Sequence, residues 1–180
     1  MKIASIQTDI IWENSVANKV HYDHLLKNIQ QVDLIIFPEM FTTGFSTNNH
    51  EIAELAVGDT LKWMQEHARN LKTCIIGSIA VNQGNNLYNR LYVLKANEVK
   101  FYDKRYLFSM AGEGKIFTKR KKELIFDVNG WKIKPLICYD LRFPVWSKNK
   151  VIGKNHQYDI LIYIANWPQK RSAAWTSLLR

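Results

Sequence analysis

Leu34-Ile35-Ile36-Phe37 is an apolar run without alternation, and Pro38 closes it. Successive side chains of a strand point to opposite faces, so a strand apolar at every position must be covered on both sides. Pro38 ends the ladder by removing a backbone donor. Tyr158–Ala165 reads as a second buried strand. Between such runs the spacing becomes helical. Asn14 or Ser15 is placed to cap a helix reaching about Gln31, with Val16, Val20, Leu25, Leu26 and Ile29 as its apolar positions. Asp59 or Thr60 opens another, with Leu61, Met64, Ala68 and Leu71 on one face. Ile3–Gln7 reads as a strand, and Thr73–Val81 and Leu87–Lys95 as a hairpin across the turn-forming Asn82-Gln83-Gly84-Asn85-Asn86. Val99–Asp103 follows as a strand, and Glu123–Val128 pairs with Trp131–Ile137 across Asn129-Gly130. A short helix is expected over Phe143–Asn149, and helical spacing returns over Arg171–Arg180. The chain shows no repeat or linker, so a single α/β domain over residues 1–180 is predicted.

A hydrophobic share of 47% supports a packed core and argues against disorder. No apolar stretch approaches a membrane span, and Met1-Lys2-Ile3-Ala4 opens directly into a strand pattern, unlike a signal peptide. Two cysteines, Cys74 and Cys138, make no disulfide framework, so the cytoplasm is the expected location and no membrane partner is expected. The net charge of +9 is regional: residues 1–90 carry 7 basic and 9 acidic groups, residues 91–180 carry 18 and 7. Its densest run, Lys119-Arg120-Lys121-Lys122, has no nucleic-acid-binding motif around it and reads as a solvated loop. The basic half would instead attract a small anionic substrate. His21, His24, His50, His67 and His156 show no ligand spacing, and neither a metal nor a cofactor is expected.

Three segments carry chemistry. Lys134-Pro135-Leu136-Ile137-Cys138-Tyr139-Asp140-Leu141-Arg142-Phe143-Pro144 delivers a thiol to the end of an apolar run. There it can meet a substrate, with the next backbone N–H facing the same way. Glu39 stands at the end of the Leu34–Phe37 strand among apolar neighbours, where lost hydration favours a proton acceptor. Lys104 ends the strand of Val99-Lys100-Phe101-Tyr102-Asp103 and could present an ammonium to a developing oxyanion. Taken singly, each also has an ordinary reading: a buried core thiol, a loop carboxylate, a surface lysine.

Together and in this order, Phe-Pro-Glu, Tyr-Asp-Lys and Ile-Cys-Tyr-Asp resemble the nitrilase superfamily of carbon–nitrogen hydrolases, and the resemblance runs the length of the chain. It implies a Glu39–Lys104–Cys138 triad on a four-layer α-β-β-α sandwich, and no cofactor. Met110-Ala111-Gly112-Glu113 is similar to the segment carrying a second active-site glutamate, giving Glu113 a supporting role. The backbone N–H of Tyr139 is expected to be the second oxyanion donor. Cys138–Pro144, followed by Ala165-Asn166-Trp167-Pro168, resembles the omega-amidase branch. That branch cleaves the side-chain amide of 2-oxoglutaramate and related dicarboxylate monoamides through a cysteine thioester. Arg142 is a candidate for the substrate carboxylate, and Phe41, Tyr106 and Trp167 for the pocket wall.

Family members continue past the position of Arg180, so the C-terminal part of the sandwich is expected to be missing here, with a homodimer expected for a full-length chain. One oxyanion donor is typically worth about 3 kcal/mol of barrier, so Lys104→Ala is expected to lower turnover about a hundredfold or more. The same residues are compatible with a deaminated-glutathione amidase, a carbamoyl-amine hydrolase or a catalytically silent shortened member.

Overall fold

Which strands sit side by side decides where the site falls. The computed structural model describes residues 1–179, the side chains of Asn49, His50 and Ile152 excepted. Its first half runs β1 (Ile3–Ser5), α1 (Ser15–Leu26), β2 (Leu34–Ile36), α2 (Asn49–Ile52), β3 (Glu54–Leu55), α3 (Asp59–Asn70), β4 (Cys74–Gln83), β5 (Asn86–Lys95) and β6 (Glu98–Asp103). The second half runs β7 (Phe126–Val128), β8 (Trp131–Ile137), α4 (Pro144–Ser147), β9 (Val151–Ile152), β10 (Asn155–His156), β11 (Ile160–Ile164) and α5 (Ser172–Leu178).

The first sheet has the order β1-β2-β4-β5-β6, with β3 beside β4. β1, β2 and β4 are parallel, and the β4–β5–β6 meander is antiparallel, so β6 runs in the direction of β2. The second sheet has the order β11-β8-β7, with β8 and β11 parallel and Ile137 opposite Ile164. A small β9–β10 hairpin stands apart.

The unalternated apolar run of β2 is explained by its two coverings. Leu34 and Ile76 face the second sheet, packing in one cluster with Leu91, Val93, Ile133 and Ile137. Ile35 and Ile75 face the helices, packing with Tyr22, Leu26, Leu61 and Met64. Each such side chain, fully buried, contributes roughly 2 kcal/mol. Helices, first sheet and second sheet thus form successive layers.

Several boundaries differ from the sequence expectation. α1 stops at Leu26 rather than near Gln31, and its inward positions are Asn18, Tyr22 and Leu26, whereas Val16 and Val20 are exposed. Asn18 can face inward because its amide is satisfied: Nδ2 donates to the carbonyls of Ile11 and Thr42, both at 2.7 Å, and Oδ1 accepts from Ile11 N at 2.8 Å. Asn14 is the cap, its Oδ1 accepting from Ala17 N at 3.0 Å. The helix expected over Phe143–Asn149 shrinks to Pro144–Ser147, and the one expected over Arg171–Arg180 spans Ser172–Leu178, with Arg180 outside the described residues. β7 begins only at Phe126, leaving Glu123 to pair with Lys134 and Lys150. No helix among the described residues is long and apolar enough to cross a membrane.

Candidate active site

β2, β6, β8 and β11 all end toward one edge, the arrangement in which parallel strands place ligands at their carboxyl ends. Pro38-Glu39 follows β2, Lys104 follows β6, Cys138 follows β8 and Asn166 follows β11.

The turn after Glu39 is drawn tightly onto β4. Met40 N donates to Ser78 Oγ at 3.0 Å, and Phe41 N donates to Ser78 O at 3.1 Å. Only glycine fits at position 77, because a Cβ there would stand 2.8 Å from Phe37 Cβ. Lys104 is set by its neighbours on two strands: its N–H donates to Asn89 O at 3.0 Å, and Asp103 before it is clamped by Arg90 at 2.6 and 2.9 Å. Gly112, at φ +73°, takes the left-handed turn that precedes Glu113.

These turns bring three charged groups together, all withdrawn from solvent. Lys104 Nζ donates to Glu39 Oε1 at 2.9 Å and to both Glu113 oxygens at 3.0 and 3.1 Å. Glu39 Oε1 also accepts from Asn89 Nδ2 at 2.9 Å, and Oε2 accepts from Asn166 N at 3.0 Å. Burial alone would lower the Lys104 pKa, but Glu39 and then Glu113 outweigh it and hold the ammonium well above its ordinary value. Burial raises the Glu113 carboxyl, against the pull of Lys104.

Cys138 adopts φ +44°, a left-handed conformation costly for a residue with a Cβ. Asp140 holds that bend: its carboxylate accepts from Ile137 N at 3.0 Å, Tyr106 N at 2.9 Å and Tyr102 OH at 2.8 Å. The backbone around the thiol is thereby tied to the segment carrying Lys104. Burial pushes the Cys138 thiol up, the Glu39 charge adds to this, and Lys104 opposes it. The sulfur thus rests beside the Glu39 side chain. Tyr139 N–H lies in the first turn of the 3₁₀ segment Cys138–Arg142, where an N–H has no partner within the helix.

Cys138 and Lys104 form the floor of a cavity of about 310 Å³, walled by Trp12, Phe45, Phe108, Trp167 and Arg171. Trp167 is one of the lining residues. Phe41 is not: it is fully buried among Tyr22, Phe37 and Trp63 on the helix side of the sheet, because the Met40 turn directs it inward. Arg142 is exposed and does not line the cavity. Tyr106 stacks on Phe143, ring centroids 3.6 Å apart, instead of lining the wall. The site residues that sequence reasoning passed over are Asn89, Asp140 and Arg171. For Asn89 the available signal was a polar pair, Asn89-Arg90, inside the apolar strand Leu87–Leu94.

The omega-amidase YafV of Escherichia coli K12 is 41% identical to the chain over 180 residues, 99% of this chain and 68% of that protein. A 2-oxoglutaramate amidase of Bacillus subtilis is 30% identical over 183 residues, 98% and 69%. Among solved structures, XC1258 of Xanthomonas campestris, described as a CN-hydrolase superfamily protein with an arsenic adduct in its active site, superposes with a TM-score of 0.95. It is 34% identical, and the match spans 99% of this chain and 69% of that one. The carbon-nitrogen hydrolase family pattern matches residues 2–180, and with these relatives it shows that the chain belongs to the carbon-nitrogen hydrolase family.

Proposed function

We propose that the protein is a thiol amidohydrolase that cleaves the terminal amide of a small omega-amido acid of the 2-oxoglutaramate type to the acid and ammonia. The observation that carries this reading is the buried contact of Lys104 with Glu39 and Glu113 beneath the cavity that Cys138 lines.

In this mechanism Glu39 takes the Cys138 proton as the sulfur attacks the amide carbon. The oxyanion is held by the Lys104 ammonium and Tyr139 N–H. Glu39 returns the proton to the departing nitrogen, ammonia leaves, and an acyl thioester remains on Cys138. Glu39 then takes a proton from water, hydroxide adds to the thioester, and the carboxylic acid is released with the thiol restored. Asn89 and Asn166 N fix the Glu39 carboxylate so that the same group can serve both halves. Glu113 holds the ammonium in place and touches no reacting atom.

The names of the relatives support the substrate class, and the cavity's size supports a small substrate. A space of about 310 Å³ lies at the lower end of ordinary ligand pockets, which favours a short dicarboxylate monoamide over a tripeptide-sized one. A cytoplasmic location accords with two unpaired thiols. A homodimer is proposed from the family resemblance alone.

Incubation with 2-oxoglutaramate and with succinamate, following ammonia, tests the reading. Release is expected from the native protein and none above background from Cys138→Ala. Equal release from both would defeat the assignment. Mass spectrometry after iodoacetamide should find the adduct on Cys138, which lines the cavity, before Cys74, which is 2% exposed and lies outside it.

A further inference from the structure

We infer that Arg171 binds the substrate's far carboxylate, so that the cavity selects amides carrying a carboxylate at the end opposite the scissile bond; this deepens the amidase reading above and rests on it. Two cations, Lys104 and Arg171, line the cavity, and no carboxylate does. Lys104 is already engaged by two buried carboxylates. The Arg171 side chain has neither a hydrogen bond nor an ion pair among the described residues, and only its backbone is engaged, its carbonyl accepting from Trp167 Nε1 at 2.8 Å.

Two rings position the guanidinium without consuming its donors. Its Cζ lies 5.2 Å from the Phe108 ring centroid and 5.5 Å from that of Trp167. A planar fork steadied in this way keeps its N–H groups available for a bidentate carboxylate. The group is half-buried beside apolar walls, where its charge is screened less than on an open surface. A ligand with one anionic end is the electrostatic complement of such a cavity. Arg142, the other arginine near the thiol in sequence, is exposed outside the cavity and cannot take this role.

The test separates binding from turnover. In Cys138→Ala protein, calorimetry should show succinamate binding more tightly than butanamide, which has the same chain length without the carboxylate. Arg171→Met in that background should weaken succinamate binding about a hundredfold, as expected when one partner of a partly desolvated ion pair is removed. Arg171→Lys should lose about tenfold, keeping the charge but not the fork. In active enzyme, the preference for succinamate over butanamide in kcat/KM should collapse in parallel. If succinamate fails to bind the parent, or binds Arg171→Met within about threefold of it, the inference is overturned whatever the turnover. If binding depends on Arg171 but no ammonia forms in native protein, the carboxylate site stands and the amidase reading falls. Should Arg171→Met fail to fold, the Arg171→Lys comparison decides, and undiminished binding by a variant of normal melting temperature overturns the inference.

Discussion

Lys104 is both an oxyanion donor in the proposed mechanism and, among the described residues, the only cation paired with the two buried carboxylates Glu39 and Glu113. Its removal therefore has two consequences that a sequence reading would not separate. Lys104→Ala should lower kcat by about a hundredfold or more, through the lost donor. It should also destabilise the fold by roughly 3–5 kcal/mol, because two carboxylates are left facing one another without water. Adding Glu113→Gln removes one of those charges and restores no oxyanion donor. Thermal melts and ammonia assays on the single and double variants should show stability partly recovered and turnover still as low as in Lys104→Ala. Recovery of both would mean that Lys104 is structural only.

At the level of elements, the site depends on one carboxylate that joins two strand ends. Asp140 accepts from Ile137 N at the end of β8 and from Tyr106 N two residues beyond Lys104. Its other donor, Tyr102 OH, accepts in turn from Trp146 Nε1 at 3.2 Å, which brings α4 into the same network. Asn is nearly isosteric with Asp but offers one acceptor oxygen where three donors converge, and its NH₂ would face a donor. Asp140→Asn should therefore reduce kcat by about tenfold or more with a smaller change in KM, since it displaces the thiol and not the cavity wall. Tyr102→Phe, which removes one donor and leaves both backbone contacts, should cost less. The segments of Glu39, Lys104 and Cys138 could be singled out in the sequence because each combines a strand-ending pattern with a reactive residue type. Asp140 was quoted in the same motif, but nothing in a linear pattern says that it bonds across to Tyr102 and Tyr106. Phe41 and Arg142 were misplaced for a related reason. Side-chain direction after the tight Met40 and Cys138 turns follows from positive φ angles at Met40 (47°) and Cys138 (44°), which residue type does not announce. Val16 and Val20 misled similarly, since helical spacing marks a stripe without saying which stripe tertiary packing will cover.

For the molecule as a whole, the buried charges give stability an unusual pH dependence. The basic second half is mostly solvated, and even within Lys119–Lys122, Arg120 pairs with Asp103 at 3.3 Å and stacks over Tyr88. The carboxyl that matters is interior. Burial pushes Asp140 up to about 6, against hydrogen bonds from Ile137, Tyr106 and Tyr102 that pull it down. In the unfolded chain an aspartate titrates near 4. Below about pH 4 the group is protonated in both states, and its titration favours neither. Between about 4 and 6 the unfolded chain releases the proton first, so stability falls as pH rises, and above 6 the full penalty of about 3 kcal/mol is present. Glu113, also raised by burial, acts in the same direction. Asp140→Asn has no proton to release at this position. The melting temperature of native protein minus that of Asp140→Asn should therefore decrease by several degrees as pH rises from 4.5 to 7 and level off above it. A difference that stayed flat, or grew with pH, would mean that Asp140 is ionised in the folded protein throughout this range and that its three donors outweigh its burial.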